Sequence, residues 1–206
     1  MEEKIERLMV GAGLDISEKY GNNPRFVFIS DDEHSQRSEF LPSLNDVLTK
    51  SDGLFLEGET GKLRRIFGHI YLTDCLSRKM IDCRSADLGF FSDSINVLDS
   101  LLKRGIHIEY NDDPKNLPEH KKAYILAVFM ANVHGDYLTL PQFKINYDKC
   151  MELREKRSDY MTSILLCSRR QFNVQIVGSD HLNGNWYDGF YKQGKSFITL
   201  ARPNLV

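Results

Sequence analysis

The run Asn173-Val174-Gln175-Ile176-Val177, followed at once by Gly178-Ser179-Asp180-His181, constrains this chain more than any other stretch. A short, mostly apolar segment closed by a glycine reads as a buried strand. Upstream, Met161, Ile164, Leu165 and Ser168 recur at helical spacing, so a long charged helix from about Tyr147 to Arg170 is predicted to deliver the chain to that strand. In an open α/β sheet, ligands collect beyond the carboxyl ends of the strands, which places His181 where chemistry is usually done. The same order occurs early, where Phe26-Val27-Phe28-Ile29 is followed by Ser30-Asp31-Asp32-Glu33-His34. Two such histidines meet in space if their strands are neighbours.

The pattern elsewhere supports alternation of strands and helices. Residues 2–20 carry a broken helical stripe (Ile5, Leu8, Met9, Ala12, Ile16), and Gly21-Asn22-Asn23-Pro24 forms a turn into the first strand. Glu39–Lys50 is predicted as a crossover helix and Leu54-Phe55-Leu56 as a buried strand ending in Glu57-Gly58-Glu59. Leu63–Met80 reads as helical through Ile66, Phe67, Ile70, Tyr71 and Leu76, and Met80-Ile81-Asp82 as a short strand. Residues 93–104 form an amphipathic helix closed by Gly105, and the alternation in Ile106–Tyr110 suggests an edge strand. An apolar helix over 119–134, an aromatic loop over 187–195 and a β-like run at Ser196–Leu200 complete the chain. Together these predict one α/β domain over residues 1–206, with a mostly parallel or mixed sheet covered by helices on both faces.

Composition narrows the function classes. With 206 residues, 41 % hydrophobic and 27 % charged, the chain can bury a core, and its net charge of −2 offers no sequence-wide field for nucleic acid. The charged start, Met1-Glu2-Glu3-Lys4, is unlike a secretory signal, and no apolar run approaches the roughly 20 residues of a membrane span. A cytoplasmic protein without an integral membrane segment is expected, with export by a non-Sec route left open. Cys75, Cys83, Cys150 and Cys167 lack metal-type spacing and lie in apolar segments, as reduced packing cysteines would.

The order of motifs, an apolar strand with His34 beyond it, a strand ending in Glu57, Arg157-x-x-x-Met161 on a helix, then Val177-Gly178-x-x-His181, resembles the TraB/Tiki and erythromycin-esterase/ChaN-like superfamily over about residues 24–185. Residues 186–206 follow as a C-terminal loop and short strand. Tiki proteins are described as metal-dependent membrane proteases, erythromycin esterases as macrolide-ring hydrolases and ChaN as a haem-binding lipoprotein. The resemblance implies an α/β fold with His34, Glu57, Arg157 and His181 at one site, and Asp32 or Glu33 in the role of the first motif's acid. Two departures stand out: the first motif lacks its usual opening glycine, and Ser158 replaces the usual asparagine after the arginine.

The implied activity is hydrolysis of a peptide or ester bond in a small-molecule or peptide substrate by activated water. His34, Glu57 and His181 are candidate ligands for Mn, Co, Fe or Zn, since mixed nitrogen and oxygen donors suit those ions. Without a metal, an acid and a histidine serve as general base and acid. The alternatives are a module that binds haem or another small ligand, or a catalytically idle relative. Arg157 either steadies an oxyanion or simply pairs with Glu57. Asp82 and Asp87 either enter the same mouth or cap helices. His69, His107, His120 and His134 read as structural, and Trp186, Tyr187, Phe190 and Tyr191 as pocket wall or C-terminal anchor.

Overall fold

A computed structural model describes residues 14–31, 44–83, 91–133 and 135–201. The described strands are β1 (Asp15–Tyr20), β2 (Phe26–Ser30), β3 (Gly53–Leu56), β4 (Thr60–Ile66), β5 (His69–Thr73), β6 (Met80–Asp82), β7 (His107–Asn111), β8 (Asn173–Val177) and β9 (Phe197–Ala201). The helices are α1 (Asn45–Leu48), α2 (Phe91–Lys103), α3 (Leu117–Val133), α4 (Pro141–Cys167) and α5 (Gly184–Lys192). All nine strands join one mixed sheet in the order β1-β9-β2-β8-β3-β7-β4-β5-β6. Its centre, β9-β2-β8-β3-β7, is parallel; β1 and the β4-β5-β6 meander are antiparallel additions.

Because successive strand residues face opposite sides, the central strands sort two kinds of apolar residue. Val27, Ile29, Leu54, Leu56, Val174, Ile176, Ile198 and Leu200 face an aliphatic layer under α1 and α2, built on Val47, Leu48, Leu98 and Leu101. Phe26, Phe28, Phe55 and Phe197 face Met161 and Leu165 of α4 and Trp186 and Phe190 of α5. Helices thus cover both faces of an α/β sheet, as the sequence predicts.

Four segments differ from expectation. Residues 15–20 form the edge strand β1, paired with β9, rather than helix. Leu63–Thr73 lies in the β4–β5 hairpin, and a turn leads from it to β6 at Met80: Leu63, Ile70 and Leu72 point inward, and Phe67 (φ 49°) with Gly68 (φ 85°) makes a tight turn of positive-φ residues. Such turns match the strand twist; with phenylalanine in place of the usual Asn or Gly, the turn is hidden behind a helical spacing. That hairpin covers β7, which is therefore interior and not an edge strand. Residues 187–195, read as loop, mostly belong to α5, whose start is capped by Asn183 accepting from the Asn185 N–H at 3.1 Å. Cys83 is buried, but Cys75 and Cys167 are exposed, and all four cysteines are free.

Gly61 fixes the β4–β5 pairing. Its φ of 139° and the approach of the Thr73 carbonyl leave no room for a Cβ. Gly61→Ala is expected to lower stability by about 1–3 kcal/mol, read from urea unfolding midpoints.

Candidate functional site

Three adjacent parallel strands, β8, β3 and β7, end side by side and hand over to Gly178, Glu57 and Asp112 respectively. Helix α4 crosses above these ends and supplies Arg157, while α3 supplies His120. His181 closes a single 3-10 turn over Ser179–His181 directly after β8. Residues far apart in sequence meet because the sheet brings parallel strand ends to one edge.

Arg157 is the hub, with its side chain only 4 % exposed. Its Nε donates to Asp112 Oδ1 at 2.8 Å, its Nη2 to Asp112 Oδ2 and to Glu57 Oε1 (2.9 Å), and its Nη1 to His120 Nδ1 at 2.9 Å. Glu57 Oε2 accepts from the Gly178 N–H at 2.8 Å, and Asp112 Oδ2 also accepts from the Gly58 N–H at 3.1 Å. His181 lies between Glu57 Oε1, 3.1 Å from its Nε2, and Ser158 Oγ, 2.7 Å from its Nδ1. The chain Ser158–His181–Glu57 has the connectivity of a serine triad, but Ser158 is buried at 3 % exposure behind His181, outside the cavity wall, and bonds the Arg154 carbonyl. It orients the imidazole and is not placed as a nucleophile.

The electrostatics follow from this packing. Burial resists ionisation of Glu57, but the hydrogen bond and charge of His181, the charge of Arg157 and the Gly178 N–H together outweigh it, holding the carboxyl well below the usual range. Burial and the neighbouring Arg157 guanidinium push His120 down from 6.5 to about 4, so it is neutral. With Nδ1 accepting from Arg157, the proton of His120 sits on Nε2, which faces Cys150 Sγ at 3.3 Å. The histidine therefore cannot take a proton from that thiol, whose acidity burial also weakens.

This network floors a cavity of about 910 Å3 between α3 and α4, within the range typical of ligand pockets. Glu57, Arg157, His120 and His181 lie at its polar end; Tyr124, Val128, Tyr137, Phe143, Tyr147 and Met151 wall its outer arm. At the mouth Lys121 bonds the Gly58 carbonyl and Glu59, and Arg154 pairs with Asp180 at 3.0 Å.

Of the residues singled out from sequence, Glu57, Arg157 and His181 come together, with Met161 fully buried one turn beyond Arg157. Asp32, Glu33, His34, Asp87 and His134 lie outside the described residues; Asp31, just before the first three, bonds the Val177 carbonyl at 2.9 Å beside this site. Asp82 is not at the mouth: β6 is the far edge strand, and Asp82 lies 3.7 Å from His69. Trp186 and Phe190 belong to the aromatic core and anchor the C-terminal strand. Sequence reading missed Asp112, hidden in a loop-like Asn-Asp-Asp-Pro run, and took His120 as structural. Its i, i+3 spacing with the buried Leu117 and Ala123 was the available signal.

A divalent ion at Glu57 and His181 requires a free imidazole lone pair and an open carboxylate oxygen. His181 instead directs Nε2 at Glu57, and Arg157 already holds the position of the carboxylate's cation. Among the described residues, no group of three His, Cys, Asp or Glu is disposed to hold a metal. Glu57 and His181 do not fit a metal in this arrangement; the guanidinium supplies the positive charge. Also among the described residues, no helix is long and apolar enough to cross a membrane.

Comparison with protein-family models, curated proteins and solved structures finds no match to this chain.

Proposed function

We propose that the chain is a hydrolase that cleaves an ester or peptide bond by attack of water, in the manner the superfamily resemblance implies. The observation that supports this is the convergence of Glu57, Arg157 and His181, from three separate elements, on the floor of one large cavity at the carboxyl edge of the sheet. A guanidinium carries five N–H donors. Four of those on Arg157 are spent on Asp112, Glu57 and His120, and among the described residues none accepts the fifth, on Nη1. That donor is the group that would hold a substrate carbonyl and stabilise its oxyanion. Glu57, held ionised, is not the proton donor; with the Ser158 hydroxyl donating to the Arg154 carbonyl, His181 Nδ1–H donates to Ser158 Oγ, so the neutral ring takes a proton from water on Nε2 and the Glu57 charge supports the imidazolium formed. The 3.1 Å contact between His181 and Glu57 opens to admit that water.

A binding module is the second reading. It is favoured by the mutual pairing of almost every polar group on the floor and by the tyrosines and apolar residues of the outer arm, which suit haem or another flat, largely apolar ligand.

Turnover of an ester and peptide panel by the full chain separates the two. In the hydrolase, His181→Ala is expected to lower turnover by about 100-fold or more while far-UV circular dichroism stays unchanged. Turnover that survives in folded His181→Ala protein ends the hydrolase reading. No turnover together with saturable absorbance change on haem titration selects the module.

A further inference from the structure

The cavity is a slot with a direction. α3 and α4 run antiparallel along it: His120 meets Arg157 (2.9 Å) and Cys150 (3.3 Å) near the floor, and Met130 meets Asn146 (3.7 Å) farther out. α3 lines the slot from Leu117 through Tyr124 to Ala131, and α4 lines it from Phe143 through Cys150 to Arg157, so each helix gives it one continuous stripe. From Leu117 to Ala131 that stripe is roughly 20 Å long. A site of this shape takes an elongated molecule lengthwise.

Its two ends differ in chemistry. The charged lining residues among those described stand at the floor and mouth and pair with one another: Lys121 with Glu59 at 3.3 Å, Arg154 with Asp180 at 3.0 Å and Arg157 with Glu57 at 2.9 Å. Asp112 adds a second carboxylate to Arg157, so the floor holds no surplus of positive charge for an anionic ligand. What it does offer is the unspent N–H of Arg157, which suits a neutral acceptor such as a carbonyl oxygen. Beyond Tyr124 and Met151 no described lining residue is charged. Phe143 meets Tyr137 edge-on (4.9 Å) and stacks on Tyr147 (5.9 Å), which makes one wall aromatic. From α3, Ala127 and Ala131 contribute only methyl groups, and this leaves the slot room for a chain.

We propose that the substrate is an uncharged ester or amide with an elongated apolar chain, its carbonyl at Arg157 and its chain along the slot toward Phe143. The proposal rests on the hydrolase reading for cleavage, but not for binding of the chain. Water adds to the carbonyl carbon, the bond to the alcohol or amine breaks, and the proton that His181 took from the water passes to the departing group. An ester yields a carboxylate, a released proton and an alcohol; an amide yields a carboxylate and a protonated amine. A floor without spare positive charge holds the product carboxylate less well than the neutral substrate, which favours its release.

Methyl ketones carry the carbonyl and the chain but are not cleaved, so their binding to the full chain, measured by titration calorimetry, separates the ligand class from the chemistry. Affinity is expected to rise by about twofold or more per added methylene from butan-2-one to undecan-2-one. Decanoate, the same chain with an anionic head, is expected to bind at least about tenfold more weakly than undecan-2-one. Ala131→Phe, which narrows the outer slot at a half-buried position, is expected to cut the affinity ratio of undecan-2-one to hexan-2-one by about tenfold. For turnover, kcat/KM is expected to rise with chain length among methyl alkanoates or among alkyl acetates, and the series that responds tells which side of the scissile bond carries the chain. Ketone affinities that ignore chain length overturn the proposal, as do decanoate binding as tightly as the ketone and an Ala131→Phe ratio equal to that of the parent; ester turnover under any of these results leaves the hydrolase reading standing. Chain-dependent ketone binding without turnover of either ester series keeps the slot as a site for neutral apolar chains and ends the hydrolase reading instead.

Discussion

Arg157→Ala is expected to destabilise the fold by about 3–5 kcal/mol, the cost of breaking a buried ion pair from one side. The change would strand two carboxylates, Glu57 and Asp112, in a region where Asp112 is fully covered and Glu57 nearly so. Both would have to take up protons or draw water into the floor of the cavity, and His120 Nδ1 would lose the Arg157 donor it accepts from. Arg157→Lys is expected to recover little of this. Lysine keeps the charge but not the planar fork that bonds both oxygens of Asp112 while reaching Glu57 and His120. Urea unfolding of the two variants against the parent chain measures both effects, and a lysine variant as stable as the parent would show that the fork is not what holds the floor together.

The second large effect is acid sensitivity in two stages. His120 is neutral in the fold and has its affinity for a proton lowered from 6.5 to about 4. Above 6.5 both folded and unfolded chains leave it neutral, and it contributes no pH dependence. As the pH falls from 6.5 toward about 4 the unfolded chain takes up a proton that the folded one refuses, so stability declines across that interval. Glu57 acts lower down. Its carboxyl is depressed from 4.5, so its stabilisation is complete above that value and is lost as the pH drops further and the unfolded chain protonates first. The loss from Glu57 is on the order of a few kcal/mol. Thermal midpoints followed from neutral to acid pH are expected to fall in both intervals. His120→Gln, which keeps an acceptor for Arg157, is expected to flatten the upper interval and leave the lower one, and Glu57→Gln to do the converse.

How much of this was legible in the sequence depended on the range of the interactions that decide each element. β2, β3 and β8 are apolar runs buried on both sides, and the runs alone mark them. The residues that follow them, Glu57 and His181, were legible for the same reason, since a polar residue just past a buried strand is placed at the sheet edge whatever the rest of the chain does. The β4–β5 hairpin was not, because Ile66, Phe67, Ile70 and Tyr71 satisfy helical spacing while the strands' inward residues are Leu63, Ile70 and Leu72, and the deciding fact is that β7 needs a partner. Asp112 and His120 were hidden for a related reason. Nothing local distinguishes an aspartate that caps a turn from one that meets an arginine 45 positions away, and only the adjacency of β3 and β7 makes Asp112 the carboxylate beside Glu57.

The place of β9 between β1 and β2 sets the order in which the sheet can be completed. Translation releases the chain from its amino end, and domains begin to fold as they emerge. β1 is among the first of the described strands to be made, yet its partner β9 is the last. Among the described strands, β1 has no mate until Phe197 is made; β2 has both edges open until β8 emerges and one edge open from then until β9, exposing the backbone groups through which nascent chains pair with one another. β1 is thus held in waiting until β9 slides in beside it, and a ribosome that stalls before Phe197 leaves a sheet with an unguarded seam.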